Sequence, residues 1–295
     1  MLELQLVVNG LVQGCEYALV ALGFALILYA TGTFHFAHGA VYVWGAYLVY
    51  LLHVKLSFPI VAAALGAAIG CAALGCLIEL LVYRPVRRRT QSQMPVVVAS
   101  LGLLIFLTNL AQLVFGADTD LIGSWSTRRL FSIGTVRIEM AQAVPVIVGL
   151  GLAGLVAWFL YGTRQGLMVR GVSENKLRSE VLGARPARIG LLTMAVGSAL
   201  LGPAAAMIGL DQGVNPSSGL DIVLIAGIAT IAGGIRRPTA AVGAAIILAI
   251  AENLSIAKIS SAWQGAVGYG LLLLLITLRP NGVFGTKDVT ELRGG

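Results

Sequence analysis

Charge is what this sequence has least of. Only 11% of its 295 residues are Asp, Glu, Lys or Arg, under half of the roughly 25% usual for a soluble domain. That excludes an ordinary soluble fold. Cysteine is scarce as well: Cys15, Cys71 and Cys76 all lie in apolar runs. With no CxxC pair and no zinc-like spacing, neither a disulfide framework nor a structural zinc site is indicated, and the three read as small core residues. The phosphate-binding pattern GxxxxGK[ST] is missing, and the nearest fragment, Gly285-Thr286-Lys287, has the wrong spacing. HExxH and GxSxG are missing too, so no enzymatic machinery is visible.

What fills the sequence instead is hydrocarbon: 58% of residues are hydrophobic and the mean hydropathy is +0.90. Apolar stretches of 18 or more residues read as membrane-spanning helices, whereas a β-barrel would show short alternating segments. The expectation is an all-α polytopic membrane protein of eight or nine spans, some short or interrupted, forming a single domain over 1–295. The spans fall at about 5–30, 36–54, 58–83, 96–115, 140–161, 190–210, 220–234, 239–254 and 262–278. The opening MLELQLVVNG has no basic lead and runs straight into apolar sequence, so it reads as the first span and not as a cleaved signal peptide.

The charges that exist are sorted. The net charge is +7, and 15 of the 20 Lys and Arg fall in segments 84–95, 163–188, 235–238 and 279–295. These alternate with connections that hold only Lys55, Arg128, Arg129, Arg137 and Lys258. By the positive-inside rule the first set is cytoplasmic, and the excess charge reports topology, not nucleic-acid binding. Charges are too few around 32–40 to decide whether that stretch crosses the membrane or re-enters it. Nine full spans would place Met1 outside.

Two places look like interrupted helices, TGTFHFAHG and IAGGIRRPTAAVGAA. In the second, Gly233, Gly234 and Pro238 divide an apolar run into pieces short for a roughly 30 Å core. Short, glycine-interrupted segments in corresponding halves are a pointer to a transport site. His35 and His38, three apart, suit polar lining or packing better than a metal site, because no Cys, Asp or Glu nearby completes one. Glu16, near the middle of the first span, is either a functional group or one end of a buried hydrogen bond to a His or Tyr. Glu79 is placed to pair with Arg84 or Arg87. Glu252 and Asn253 suit helix-end hydrogen bonding near the outer face. The cluster RPVRRR suits an anchor on anionic lipid. The small residues of GAAIGCAALGC and GPAAAMIG suit close helix packing.

The polar segment 163–188 is long for an inter-helix connection. Leu167, Met168, Val172, Leu177, Val181 and Leu182 recur within it at spacings that fit short amphipathic helices. Ser173 as N-cap, Gly183 as stop and Pro186 beyond predict one helix over 174–182. A helix of about nine residues is unstable alone, so it must pack on the membrane domain or in a partner's groove.

NGLVQGCEYALVALGFALILYATG, FAHGA, YRPVRRR, the GTRQGLMVRGVSEN loop, the GG pair and LRPNGVFG together resemble the permease subunits of branched-chain amino acid ABC importers. The resemblance spans nearly the whole chain. It implies a bacterial inner-membrane subunit paired with a second, related permease, two ATP-binding subunits and a periplasmic substrate-binding protein. ATP and Mg would sit on the partners, leaving no cofactor and no catalytic residue here. It also implies that Glu174, Asn175, Leu177, Glu180 and Gly183 contact the ATP-binding subunit. Phe36, Ala37, His38 and Gly39 would lie near the translocation path, with Glu16, His35, Gly233 and Gly234 as further candidates. The chain departs from the family pattern at His35, where Asn is usual, at GGIRR, where GGxGS is common, and at Glu16. These departures leave the cargo open among branched-chain or other hydrophobic amino acids, urea, short amides and aromatic acids. The rival of another class is a secondary transporter or channel in which Glu16 and the histidines relay protons without ATP.

Overall fold

The computed structural model describes residues 2–89, 92–123, 130–133, 136–257, 263–278 and Gly282. The first helix, α1 (Leu2–Thr31), is apolar on all sides from Ala18 to Ala30, and every residue from 14 to 28 is buried. A helix with no polar face belongs inside other helices, and α1 is the hub, packed by α6 (Met140–Gly162), α9 (Pro186–Ala199), α11 (Ser218–Gly233) and α12 (Ala240–Ser255). Close approach comes from glycine. A Cβ at Gly10 would stand 2.6 Å from Ile250 Cα, and one at Gly14 would stand 2.7 Å from Ile246 Cα. The α1–α12 backbones therefore touch, as small residues permit between membrane helices.

Around the hub lie α2 (His38–Tyr50), extended by a π-helical turn to Lys55, and α3 (Ile60–Ile78). A second π turn carries α3 into the basic α4 (Arg84–Arg89). Then come α5 (Met94–Phe115), α10 (Leu201–Gln212) and α13 (Gln264–Leu278). The apolar windows of α3, α5 and α6 are each only 22% buried, against 83% for α1 and 67% for α9–α10. Those three helices carry the hydrocarbon-facing surface of a membrane protein. Among the described residues, 5 helices are long and apolar enough to cross a membrane, and α11 and α12 are shorter apolar helices. The helical boundaries fall within a few residues of those read from sequence.

Both ends of the bundle are identifiable. Gln142 donates to Asn9 (3.4 Å) and Asn253 donates to Gln13 (2.6 Å), so the Leu2 end of α1 lies with the start of α6 and the end of α12. Asn253 thus reaches across to α1 as well as back to the Ala249 carbonyl, more than helix-end bonding predicts. At the opposite, basic end, Thr31, Gly32, Arg84, Arg87 and Gln93 share one cavity with Lys176 and Pro186. Hence α1 runs from the end poor in basic residues to the basic end. Between α5 and α6 sits a feature absent from the sequence reading, a hairpin of β1 (Leu130–Ile133) and β2 (Val136–Glu139), antiparallel with Leu130 opposite Glu139. The three cysteines are free, with Cys15 and Cys71 buried, as core residues should be.

Candidate functional site

The chain reverses after α1. Gly32 adopts φ +68°, a left-handed value that glycine tolerates, and its N–H caps the Leu28 carbonyl at 2.8 Å. Residues 33–37 then turn back along α1 without forming helix. His38, the first residue of α2, places Nε2 3.2 Å from the Val20 carbonyl. Val20 is eleven residues before Thr31, so the chain re-enters by roughly 16 Å before helix resumes. This stretch is therefore both re-entrant and part of a crossing: non-helical first, helical afterwards.

Non-helical backbone at this depth needs partners inside the protein. Ala37 N–H donates to Ser100 Oγ at 3.0 Å, His38 N–H to the His35 carbonyl at 3.0 Å, and Thr33 N–H to Thr31 Oγ1 at 3.2 Å. His35 Nδ1 lies 2.7 Å from Tyr83 Oη. Since a carbonyl only accepts, His38 carries its proton on Nε2. His35 Nε2 and His38 Nδ1 are both buried, and neither has a hydrogen-bond partner among the described residues. The two rings stand 5.5 Å apart, edge to face. Phe24 packs edge-on to both His38 and Phe34, and Phe34 stacks on Phe36.

His35, Ala37 and His38 have no exposed surface. Gly39 lets α2 cross α11, because any Cβ there would fall on the Gly219 carbonyl. Glu16 is buried about one turn from Val20, toward the opposite end. It lies within electrostatic reach of Asp211, Tyr17 and Tyr42, and Tyr17 in turn of Glu252 and Asp221. No Lys or Arg enters this set among the described residues. Glu16 thus lies about one helical turn from the Val20 carbonyl that meets His38, without a direct bond to either histidine among the described residues. No group of three or more metal-ligating side chains occurs among the described residues.

Gly233 and Gly234 lie apart from Glu16 and from the histidines. Here the apolar run is broken, as the sequence predicts, by a tight turn between the short helices α11 and α12. Gly234 takes φ +103°, and its N–H reaches the Thr230 carbonyl at 3.0 Å. A Cβ on Gly233 would stand 2.7 Å from the Ala240 carbonyl carbon. Ile235, Arg236 and Arg237 are exposed.

The polar segment after α6 is folded, but not as one helix over 174–182. Thr163 caps α7 (Arg164–Glu174), accepting from Gly166 N–H at 3.0 Å and donating to the Phe159 carbonyl at 2.6 Å. Asn175 then breaks the helix with an extended backbone and caps α8 (Lys176–Val181) through Arg178 N–H at 2.9 Å. Ser173, the expected cap, instead donates to the Arg170 carbonyl at 2.7 Å. Gly183, at φ +89°, ends the unit. Val169 and Val172 are buried, and Arg170 lies 5.3 Å over the Tyr161 ring, bracing α7 against α6. Leu177, Val181 and Leu182 are 75%, 88% and 86% exposed. Glu79 pairs with Arg87, one of its two expected partners.

Residues 6–276 match the family described as "Branched-chain amino acid transport system / permease component". The chain is 29% identical to the high-affinity branched-chain amino acid transport system permease protein LivH of Salmonella typhimurium, over 98% of this chain and 97% of that one. It is 30% identical to the corresponding permease protein BraD of Pseudomonas aeruginosa, over 98% of each. A probable LivH of Methanocaldococcus jannaschii is 25% identical over 88% of this chain and 84% of its own length. Long apolar helices, a buried polar re-entry and a match along nearly the full length agree, and the chain belongs to the family of permease components of branched-chain amino acid transport systems.

Proposed function

We propose that this chain is an inner-membrane permease subunit of an ATP-driven, binding-protein-dependent importer. It pairs with a second, related permease and carries branched-chain or other hydrophobic amino acids. ATP and Mg belong to two partner subunits. The observation that carries the reading is the exposed apolar edge of α8. Leu177, Val181 and Leu182 project at the basic end, on a unit whose caps, buried valines and Arg170–Tyr161 contact fix its shape. Exposed apolar surface on a fixed polar element marks a protein contact. Leu177, Glu174 and Glu180 would meet the ATP-binding subunit, while Asn175 and Gly183 set the bend that presents them.

Cargo would pass beside α1, with Glu16 toward the outer end and Phe36, Ala37, His38 and Gly39 at the re-entry. Since His35 and His38 are closed off here, they would meet cargo only when residues 33–37 shift. Gly233 and Gly234 would act through the α11–α12 turn. The test is a pull-down of tagged chain from mild detergent, repeated with Leu177→Asp and Glu180→Arg. ATP-binding subunits should co-purify with the native chain and be lost from the variants, which still elute as monodisperse protein. Native chain that purifies alone and moves substrate in liposomes without ATP would transfer the reading to a secondary carrier.

A further inference from the structure

The basic helix α4 separates two cavities. One, of about 410 Å³, is lined by Leu80, Arg84, Pro85, Arg88 and Arg89. It opens beside Leu77, Leu80 and Leu81, exposed at 50%, 40% and 70% on the hydrocarbon-facing side of the same helix. The other, of about 490 Å³, lies on the far side of Arg84 and Arg88, under the α7–α8 unit, and there Lys176 joins them. Glu79 is the acidic residue lining that second cavity, and it is paired with Arg87. Arg84, Arg88, Arg89 and Lys176 form no ion pair among the described residues.

We propose that the Arg84–Arg88 cleft binds the phosphate of an anionic phospholipid from the Leu80 side, on the same arginines that line the cavity of Lys176 on α8. The charge alone would suit any phosphate. The apolar stripe of Leu77, Leu80 and Leu81 runs into the first cavity and gives acyl chains a place to lie, which favours a lipid over a free anion. Guanidinium groups suit phosphate through paired N–H donors. Basic residues at the cytoplasmic surface of a membrane also gain from its anionic lipids. Because Arg84 and Arg88 line both cavities, a headgroup on the hydrocarbon side acts on the residues that face the α7–α8 unit. The lipid then becomes part of the mounting of the docking element. The binding itself does not depend on the importer reading.

The experiment is native mass spectrometry of chain purified in mild detergent. It is exposed to phosphatidylglycerol, to phosphatidylcholine, or to inorganic phosphate at the same concentration. Phosphatidylglycerol should be retained over phosphatidylcholine. Retention should fall about fivefold for each of Arg84→Gln and Arg88→Gln, as expected for one surface charge, and return in Arg88→Lys. Arg164→Gln, which removes a charge outside both cavities, should bind as the native chain does. Equal retention in the two Gln variants would overturn the site. Inorganic phosphate that displaces the lipid at equal concentration would overturn the lipid assignment in favour of a soluble anion. Elution profiles on size exclusion separate loss of binding from loss of fold.

Discussion

The chain reverses after a left-handed glycine at Gly32 and again at Gly234, and these two reversals differ in depth. After Gly234 the chain stays at the basic end, and α12 starts against the last residue of α11. After Gly32 it passes roughly 16 Å back into the bundle before α2 begins beside Val20. The shallow turn satisfies its backbone locally, through Gly234, Arg237 and Ala240 N–H groups bonded three or four residues back. The deep one needs Ser100 and Tyr83, from helices far along the chain. A local turn needs only its own sequence, whereas a re-entry needs a prepared cavity. Stability should therefore be far more sensitive at the second kind of site.

The largest effect is expected where the deep reversal ends. Gly39→Val would press a side chain onto the Gly219 carbonyl, and backbone against backbone cannot yield as a flexible side chain does. A cost of about 3 kcal/mol or more follows from overpacking at such a contact, read as loss of the monodisperse peak on size exclusion. Gly227→Val, on the same α11 with nothing within 4 Å, is the control and should elute normally. Equal behaviour of the two would mean that α2 and α11 do not cross this closely.

The next effect is chemical. Tyr83→Phe keeps the ring but removes the hydroxyl that His35 Nδ1 meets. A buried imidazole nitrogen loses its partner, which costs about 1–3 kcal/mol. The melting temperature of the detergent-purified protein should fall measurably while elution stays unchanged. An unaltered melt would show that the re-entry is held by packing alone, through Phe24, Phe34 and Phe36.

The difference between the reversals also explains what could be read from the sequence. Apolar runs gave every span to within a few residues, because hydrocarbon depth dictates length. Both reversals were visible as polar, glycine-bearing interruptions. Their depth was not, since it depends on Tyr83 and Ser100, 48 and 63 residues away from their partners. The same limit applies to the loop after α6. Ser173 and Asn175 are both good caps, and the sequence favoured the first. The structure uses the second because Thr163 has already started α7, so Ser173 falls inside a helix and bonds backward. The β1–β2 hairpin had no turn motif strong enough to announce it. The acidic and tyrosine residues around Glu16 come from α1, α2, α10, α11 and α12 and meet only in the fold.

The smallest effect should come from the residues that look most unusual in the sequence, the arginines of GGIRR. Arg237→Gln removes a charge at an exposed position of the shallow turn. The turn is held by Gly234 N–H to Thr230, Arg237 N–H to Gly234 at 2.9 Å and Ala240 N–H to Arg237 at 2.9 Å, all backbone bonds that the substitution leaves in place. Its side chain lines an open cleft with Tyr161 and Thr239 at the basic end, where water solvates whatever stands there. The expected change is within about 0.5 kcal/mol, typical of surface substitutions, and the melting curve should overlay that of the native chain. A drop as large as that of Tyr83→Phe would mean the Arg237 side chain holds α11 and α12 together. The two reversals would then be mechanically alike despite their different depths.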